Sequence, residues 1–404
     1  MSTSLLYQVF GIRGYRYCHT RYEGGATIFR IELPRKEFRC PECGHKHVHV
    51  VERFRRQWKA EPIGGRPVWI EMFVPKVECQ SCGVRRRVPV SFADPRRKHT
   101  KHFEDYVMDL LQFMTPSDVS AFLEISWDTA NDIQKRRLDR KYGRPKLRKL
   151  KRIAIDEIWL GALHKYITLV LDLDTRAVVF VGDGKGADAL KPFWAKVKAA
   201  RAKIRSVATD MSTAYISAVR NNLPKARLVF DRFHVVKLIN EKLTELRRQL
   251  FREATDMLQK KVLKGTRWLL MMNPENLDDG KNDRQRLEEA LELNKSLAIA
   301  YYLKEDLRQL WNQGSRRAAG KFLTAWCRRA DASGIRIMQQ LAKTMRRHRS
   351  GLLDWYSDPI STGPLEGINN KIKLMQRRAY GYRDLNFLKL RILSLHHTRY
   401  ELVG

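Results

Sequence analysis

The second half of the chain places carboxylates at the ends of apolar segments. Asp156 follows the start of one predicted strand, and Asp210 ends another. A carboxylate beside an apolar strand is costly to bury unless it binds a cation. Glu366 stands at the predicted start of a distant helix. Alone, each acid fits a turn, a helix cap or a first-turn position. Two acids on adjacent strands with a distant glutamate are what a two-magnesium phosphoryl-transfer site requires.

A second strand end leaves two interpretations open. Asp231 also follows an apolar strand, so it is an alternative to Asp210 as the second acid, and His234 comes three residues later. His234 orients water or DNA near the carboxylates in one interpretation. In the other, Asp231 caps a helix and His234 is partly buried. We treat Asp231 and His234 as residues that support the site.

Two Cys-x-x-Cys-Gly segments near the N-terminus have the form of metal-binding knuckles. They supply Cys40 with Cys43, and Cys79 with Cys82. A two-residue gap lets both sulfurs face one ion, and the following glycine permits the turn. The 35 residues between the knuckles exceed the commonest spacing, so we expect a hairpin that returns the chain. The pattern predicts a closed, structural zinc site. Buried or redox-active cysteines, or a neighbouring histidine as one ligand, are the alternatives.

The charge of the chain indicates its partner. It carries 78 Lys and Arg against 44 Asp and Glu, a formal net charge of +34. Such an excess repels itself unless a polyanion neutralises it, so nucleic acid is the predicted partner. The 404 residues are 43% hydrophobic, which suits two to four folded domains and not a disordered basic tail. We find neither a leader nor a membrane span, and expect a cytoplasmic protein that joins the nucleoid when bound to DNA.

Periodicity and composition predict a multidomain protein. The predicted segments, in chain order, are a β-rich zinc-binding domain at 1–98, a helix-turn-helix at 99–140, a basic linker at 141–152, an α/β domain at 153–240, a helical region at 241–355 and the end of the α/β domain at 356–404. The α/β pattern rests on predicted strands at 153–159, 166–173, 177–181, 204–209 and 226–230. The acids at 156 and 210 belong to the first and fourth of these strands.

Candidate DNA contacts lie in the second helix of the helix-turn-helix and in the basic run behind it. The second helix is expected to read base edges in the major groove, and the basic run to neutralise phosphates. The candidates are Trp127, Asp128, Thr129, Asn131, Lys135, Arg136, Arg137, Arg140, Lys141, Arg144, Lys146, Arg148, Lys149, Lys151 and Arg152. In the helical region, Trp268, Trp311 and Trp326 are candidates for stacking on an unpaired base, although most Trp at helical spacing are core.

The order of these motifs resembles that of a known family. It includes Ile-Asp156-Glu157, Thr-Asp210-Met-Ser-Thr-Ala-Tyr215, Asp231-Arg-Phe-His234, Gly363-Pro-Leu-Glu366-Gly-Ile-Asn-Asn-Lys and Tyr380-Gly-Tyr382. Together with the cysteine knuckles and the helix-turn-helix, it is similar to bacterial insertion-sequence transposases of the ISL-three family. The resemblance covers essentially the whole chain. It implies an RNase H-like catalytic fold interrupted by an all-α insertion, with a DDE site formed by Asp156, Asp210 and Glu366.

The resemblance implies a function and several partners. Such an enzyme binds the inverted-repeat ends of its element and uses magnesium or manganese for DNA cleavage and strand transfer. Its partners would be double-stranded end and target DNA, in a homodimer or larger assembly that joins two ends. The alternatives are a DNA-binding regulator that uses only the N-terminal domains, and an RNase H-like nuclease or resolvase without strand transfer. A regulator has no need for Glu366 and the Asn369-Asn370-Lys371 run behind it.

Overall fold

The computed structural model describes residues 5–161, 165–379 and 381–397. Tyr380, part of the Tyr380-Gly-Tyr382 motif, lies outside them. The chain divides into two compact units, one within residues 1–143 and the other at 144–397. None of the described helices combines the length and the apolar character needed to cross a bilayer.

The first unit begins with a mixed sheet. Its strands are ordered β1-β2-β4-β3, and β5 pairs with β4. The elements are α1 (Leu5–Phe10), β1 (Arg16–Glu23), β2 (Ala26–Glu32), β3 (Val48–Ile63), β4 (Arg66–Cys79) and β5 (Arg85–Arg87). Strands β3 and β4 form the long antiparallel hairpin that the knuckle spacing predicts, with Val48 opposite Cys79. Strand β3 has 16 residues and β4 has 14, and β3 carries charged residues on an exposed face.

A three-helix segment completes the first unit. It consists of α2 (Lys101–Leu110), α3 (Pro116–Leu123) and α4 (Trp127–Tyr142). Glu124 ends α3 in the left-handed conformation (φ 49°), and Ser126 caps α4, so the predicted tight turn is present. Lys59 of β3 donates from Nζ to the carbonyl oxygens of Leu123 (2.6 Å) and Glu124 (2.9 Å), which holds this turn on the sheet. Helix α4 runs on to Tyr142, so residues 135–142 are helix and the connecting segment begins at Gly143.

The second unit contains a mixed sheet in the order β10-β9-β6-β7-β8. Strand β7 is antiparallel to β6 and β8, whereas β6, β9 and β10 are parallel. The strands are β6 (Arg152–Trp159), β7 (Tyr166–Asp172), β8 (Val178–Asp183), β9 (Ser206–Thr209) and β10 (Arg227–Phe230). Their bounds agree with the predicted strands to within two residues. The periodicity of buried strands is local, so the sequence already contains it.

Helices cover both faces of this sheet. One face packs against α5 (Lys191–Ala199), α6 (Thr213–Asn222) and the helices that follow β10. The other packs against α15 (Gly363–Arg378) and α16 (Leu385–Ser394). The helices between β10 and α15 are α7 (Arg232–Glu253), α8 (Met257–Gly265), α9 (Arg267–Met271), α10 (Asp283–Glu292), α11 (Lys295–Arg308), α12 (Arg316–Ala332), α13 (Arg336–Arg347) and α14 (Arg349–Leu353). No described residue of this stretch is in a strand.

Candidate active site and metal centre

Asp156 and Asp210 lie at the same level on neighbouring parallel strands. The register of β6 and β9 pairs Arg152 with Ser206 and Ala154 with Ala208. Two residues further along each strand, the same register reaches Asp156 and Asp210. Side chains two apart in a strand point to the same face, so both acids share the face of the alanines. That face packs against α15 and α16.

The neighbouring acid, Glu157, points to the opposite face. It accepts a hydrogen bond at Oε2 from the hydroxyl of Tyr215 (3.1 Å), and that hydroxyl also contacts Thr168 Oγ1 (3.2 Å). Burial raises the pKa of Tyr215 to about 12, so the phenol keeps its proton. Glu157 is therefore part of a hydrogen-bonded core network, and Asp156 is the acid that faces α15.

Asp156 sits in a largely desolvated position. Burial raises the pKa of its carboxyl group, and the nearby Asp210 carboxylate adds to this rise. The charge of His234 and a hydrogen bond from Asn369 oppose it. Asn369 Nδ2 donates to Asp156 Oδ2 at 3.0 Å. Asp210 in turn accepts at Oδ1 from the backbone N–H of Ser212, at 3.0 Å.

Helix α15 carries Glu366 in its first turn, exposed to solvent. Glu366 and Asn369 are three residues apart, so they lie on the same side of the helix. The contact between Asn369 and Asp156 therefore turns the side that bears Glu366 toward the strand acids. Among the described residues, the four cysteines are the only group of three or more His, Cys, Asp or Glu ligand atoms within 4.8 Å of one another. The carboxylate of Glu366 therefore does not lie within this distance of both Asp156 and Asp210.

Asn369 is the residue of this site that the sequence interpretation did not place. Its Oδ1 is buried and has no hydrogen-bond donor among the described residues. The one signal in the sequence is its position three residues after Glu366. Two close carboxylates and an unpaired amide oxygen are the donors that Mg²⁺ or Mn²⁺ prefers, so the residues fit a hard divalent cation.

Asp231 is almost fully buried, and both of its carboxylate oxygens are occupied. Oδ2 accepts the backbone N–H of Phe233 (3.1 Å) and caps α7. Oδ1 accepts the backbone N–H of Thr362 (3.2 Å), the residue that precedes α15. Asp231 therefore ties the end of β10 to the starts of two helices. His234 lies in the first turn of α7, partly buried, close enough to Asp156 to act on its charge.

The four knuckle cysteines converge at the end of the β3–β4 hairpin. The Sγ atoms of Cys40 and Cys82 lie 3.6 Å apart, as do those of Cys43 and Cys79. All four sulfurs are within 4.8 Å of one another, and none is in a disulfide. A tetrahedral zinc with Zn–S bonds of about 2.3 Å holds its sulfurs roughly 3.8 Å apart, so the set fits zinc.

Both knuckles have the same backbone hydrogen bonds. Gly44 N–H donates to Cys40 O at 3.0 Å, and Gly83 N–H donates to Cys79 O at 2.9 Å. Both glycines have positive φ, 75° and 68°. Hydrogen bonds from backbone N–H groups of the first knuckle, with those from neighbouring thiols, lower the pKa of Cys40 to about 6. Burial and the neighbouring thiols instead raise the pKa of Cys43, and raise that of Cys82 to about 12, so of these shifts only that of Cys40 favours the thiolate that binds metal.

The predicted DNA contacts divide into occupied and available side chains. Arg136 donates to the buried Glu104 at 2.5 Å, Arg137 pairs with Asp105, and Arg140 reaches Asp94 at 3.4 Å. Arg152 pairs with Asp174 through a 2.7 Å hydrogen bond. These four arginines serve internal ion pairs. The exposed basic residues that appear in none of the described ion pairs are Lys141, Arg144, Lys146, Arg148, Lys149 and Lys151.

The helix expected to read base edges starts with exposed residues. Trp127 is 52% exposed, and Asp128 is exposed beside it. Thr129 and Asn131 are partly buried, and the Thr129 hydroxyl lies 2.8 Å from that of Ser126. Lys135, further along α4, is exposed.

Of the three tryptophans proposed for base stacking, two are core residues. Trp326 is fully buried and donates from Nε1 to Leu303 O at 2.8 Å, and Trp311 is 4% exposed. Neither is available to stack on a base. Trp268 is 62% exposed and remains a candidate.

Comparisons with known proteins identify the class and then the family. Family models match in succession a zinc finger of transposases IS204/IS1001/IS1096/IS1165 (residues 36–82), a helix-turn-helix domain of transposase family ISL3 (88–138) and an ISL3 DDE transposase domain (153–392). The protein is thus a transposase that carries a zinc finger and a helix-turn-helix. It belongs to the ISL3 family.

Similar proteins have the same description. The chain is 31% identical over 356 residues to the transposase for insertion sequence element IS1001 of Bordetella parapertussis, over 87% of each chain. It is 29% identical over 417 aligned positions to the transposase for IS1557 of Mycobacterium tuberculosis, covering 95% of this chain and 91% of the relative. A Drosophila P element transposase strand transfer complex gives a TM-score of 0.41 at 10% identity, over 74% of this chain and 91% of that one.

Proposed function

We propose that this transposase binds the inverted-repeat ends of an insertion sequence and cleaves and joins DNA at a site formed by Asp156, Asp210 and Glu366. The observation that carries the proposal is the hydrogen bond from Asn369 to Asp156. It couples the paired strand acids to the helix that bears Glu366. The sheet order β10-β9-β6-β7-β8, with β7 reversed, supports an RNase H-like catalytic fold.

Some residues of the site supply negative charge, and others fix the geometry of the site. Asp156 and Asp210 concentrate negative charge in a desolvated place, where a pair of carboxylates is stable only beside cations. Asn369 fixes the orientation of Asp156, and Asp231 fixes the start of α15 through Thr362. Glu366, exposed on the first turn, is free to complete the cation site when DNA arrives. Bound magnesium or manganese would activate the attacking oxygen and stabilise the charge that develops at the phosphate.

His234 has a separate role in this proposal. It is partly buried at the start of α7, near enough to lower the pKa of Asp156 by its charge. A cationic imidazole beside the acids would attract the phosphate of the cleavage site, and a neutral one would orient water. We therefore place His234 in support of the reaction rather than among the cation ligands.

The first unit supplies recognition. Zinc held by the four cysteines stabilises the end of the β3–β4 hairpin, and the helix-turn-helix places α4 against DNA through Trp127 and Asp128. At the start of the second unit, the exposed basic residues at 144–151 contact phosphates. Because two ends must be joined, we expect a dimer or a larger assembly on DNA.

The test is an assay with purified full-length protein and linear DNA that carries the inverted repeats. We expect cleavage at the repeat boundary and transfer of the freed 3′-hydroxyl into target DNA, both dependent on Mg²⁺ or Mn²⁺. DNA with a scrambled end is the control. Cleavage without any joined product would instead assign the protein to the nucleases, and binding without cleavage would leave only a regulator.

A further inference from the structure

The helical region of the second unit has a cationic groove between α12 and α14. It has a volume of about 510 Å³, and no Asp or Glu is among the described residues that line it. The cationic residues at its wall are Arg316, Arg317, Lys321, Arg328 and Arg349. Arg316 pairs with Asp354 at 2.7 Å, just outside the groove. The other four appear in no ion pair of the described structure.

Three arginines near the groove are paired with carboxylates. On the same helix, Arg329 pairs with Asp306 at 2.7 Å. On α13, Arg346 pairs with Asp331, and on α11, Arg308 contacts Glu305 at 2.6 Å. Four cations gathered at one groove, Arg317, Lys321, Arg328 and Arg349, lack the carboxylate partner that these three arginines have.

Arg349 is held in place by neutral oxygens. Its Nη2 donates to Gly320 O at 2.8 Å, and its Nη1 donates to Thr324 Oγ1 at 3.1 Å. A Cβ at position 320 would lie 2.9 Å from Nη2, so an alanine there would shift the flexible end of the Arg349 side chain. A partly buried guanidinium without a carboxylate partner has a positive charge that the protein does not compensate. Its planar set of N–H donors suits a phosphate oxygen.

The remaining cations form a straight stripe on α12. Arg317, Lys321 and Arg328 are exposed and follow helical spacing with Thr324 between them. Eleven residues separate the first from the last, which is about 16 Å along a helix. One strand of a duplex presents a phosphate for roughly every 3.4 Å of its axis, so the stripe matches the length of several phosphates and exceeds that of a single small anion.

We propose that the groove between α12 and α14 binds the phosphodiester backbone of duplex DNA, as a contact separate from the helix-turn-helix and from the segment at 144–151. The inference rests on the proposed function in one respect, that the duplex is the DNA on which the transposase acts. The contact is with phosphates and carries no base specificity.

The test compares two triple variants of the full-length protein. In the first, Arg317→Gln, Lys321→Gln and Arg328→Gln remove the stripe. In the second, Lys203→Gln, Lys225→Gln and Lys343→Gln remove the same charge from dispersed exposed positions of the same unit. Affinity for a fluorescent duplex that carries an inverted repeat is measured by anisotropy over a range of salt. The same is done for a scrambled duplex of equal length.

We expect the stripe variant to bind both duplexes about tenfold more weakly than the control variant, and its plot of log affinity against log salt to be flatter by roughly 0.9 for each lost contact. Gly320→Ala, which displaces Arg349 without changing charge, should weaken binding in the same direction. Equal affinities and slopes for the two triple variants would overturn the proposal. So would unchanged DNA binding with lost self-association, which would assign the groove to a second copy of the chain.

This outcome is separable from that of the proposed function. If the wild-type protein binds through the groove but neither cleaves nor joins end DNA, the proposed function fails and the groove assignment stands. If it cleaves and joins, and the two triple variants bind alike, only the groove assignment fails.

Discussion

Asp156 and Asp210 are two nearby carboxylates that repel each other, and burial strengthens this repulsion. Single substitutions at these positions are therefore informative. Asp156→Ala, Asp210→Ala and Glu366→Ala should each lower cleavage and strand transfer by about a thousandfold or more, since each removes charge that would hold the cation. Binding to end DNA should stay at the wild-type level. The measurement is an end-cleavage assay in Mg²⁺ beside a binding isotherm.

Stability provides the control for these variants. Without metal, Asp210→Ala relieves repulsion with Asp156, so its thermal midpoint should equal or slightly exceed that of the wild type. A marked loss of stability would mean that Asp210 is a structural residue and that the acid set must be drawn again.

Asp231 is the second residue-scale case. Asp231→Ala removes a helix cap and leaves the N–H of Thr362 without its acceptor, so it should cost about 1–2 kcal/mol of unfolding free energy. Because Thr362 precedes the helix of Glu366, activity should fall but remain measurable. Asp384→Ala, which removes the cap of α16 at Phe387 N–H, is the matched control and should cost stability with little effect on cleavage. If Asp231→Ala is inactive while Asp210→Ala still cleaves, Asp231 is the second acid.

At the scale of elements, an ion pair fixes α2 against α4. Glu104 of α2 is buried, and although burial opposes its ionisation, the contact with His99, whose Nδ1 lies 3.2 Å from Oε1, and hydrogen bonds from Arg136 lower its pKa to about 2. A carboxyl group with a lowered pKa stabilises the folded state above its unfolded pKa, and this stability is lost as the pH falls from about 4.5 toward 2.

Glu104→Gln should therefore lower the unfolding free energy by about 2–3 kcal/mol at pH 7. The difference from wild type should shrink when chemical denaturation is repeated at pH 3. Asp105→Asn on the same helix removes an exposed partner of Arg137 and should change stability by less than about 1 kcal/mol. A gap between wild type and Glu104→Gln that widens on acidification would contradict the linkage.

We expect the four-cysteine end of the β3–β4 hairpin to depend on a metal ion. We expect one zinc per chain, and Cys79→Ser should abolish stoichiometric zinc and unfold the tip that carries both knuckles, because metal binding supplies much of the folding free energy of such a small element. Cys18→Ser replaces an exposed cysteine outside the cluster and should leave zinc and stability unchanged. Elemental analysis and resistance to proteolysis are the readouts. Full folding of zinc-free Cys79→Ser would refute a structural ion.

At the scale of the whole molecule, the formal charge of +34 predicts DNA binding that weakens as the salt concentration rises. Basic residues contribute only where no internal acid neutralises them. Replacing Arg144, Lys146, Arg148, Lys149 and Lys151 by Gln should therefore weaken binding to all duplexes and flatten the salt dependence by roughly 0.9 per lost contact. Replacing Arg136 and Arg137 should mainly lower stability, because both serve Glu104 and Asp105.

Sequence discrimination is expected elsewhere. Changes at Trp127 and Asp128, in the exposed first turn of α4, should alter the ratio of affinities for end and scrambled DNA. Substitutions in the basic segment and substitutions in this turn should therefore differ in their effects. If both changed the affinity ratio and the salt slope equally, the division between phosphate contact and base reading would be wrong.

Several properties follow from the amino-acid sequence alone because they are local. The clustering of the four knuckle cysteines was predictable, since the spacing of Cys40 with Cys43, and of Cys79 with Cys82, already determines which sulfurs can face one ion. The strands that carry Asp156 and Asp210 were predictable because buried strands have a short apolar period. The transposase family was recognisable from the ordered motifs, which the family comparisons confirm.

Other properties depend on contacts between residues far apart in the chain, and only the tertiary structure decided them. Asn369 reaches Asp156 across 213 residues, and Thr362 reaches Asp231 across 131. The pairing of Arg136 with Glu104 removes a predicted DNA contact, and the burial of Trp326 removes a predicted stacking residue. Composition shows how many charged and aromatic side chains exist, but three-dimensional packing decides which are used inside the protein and which remain for DNA.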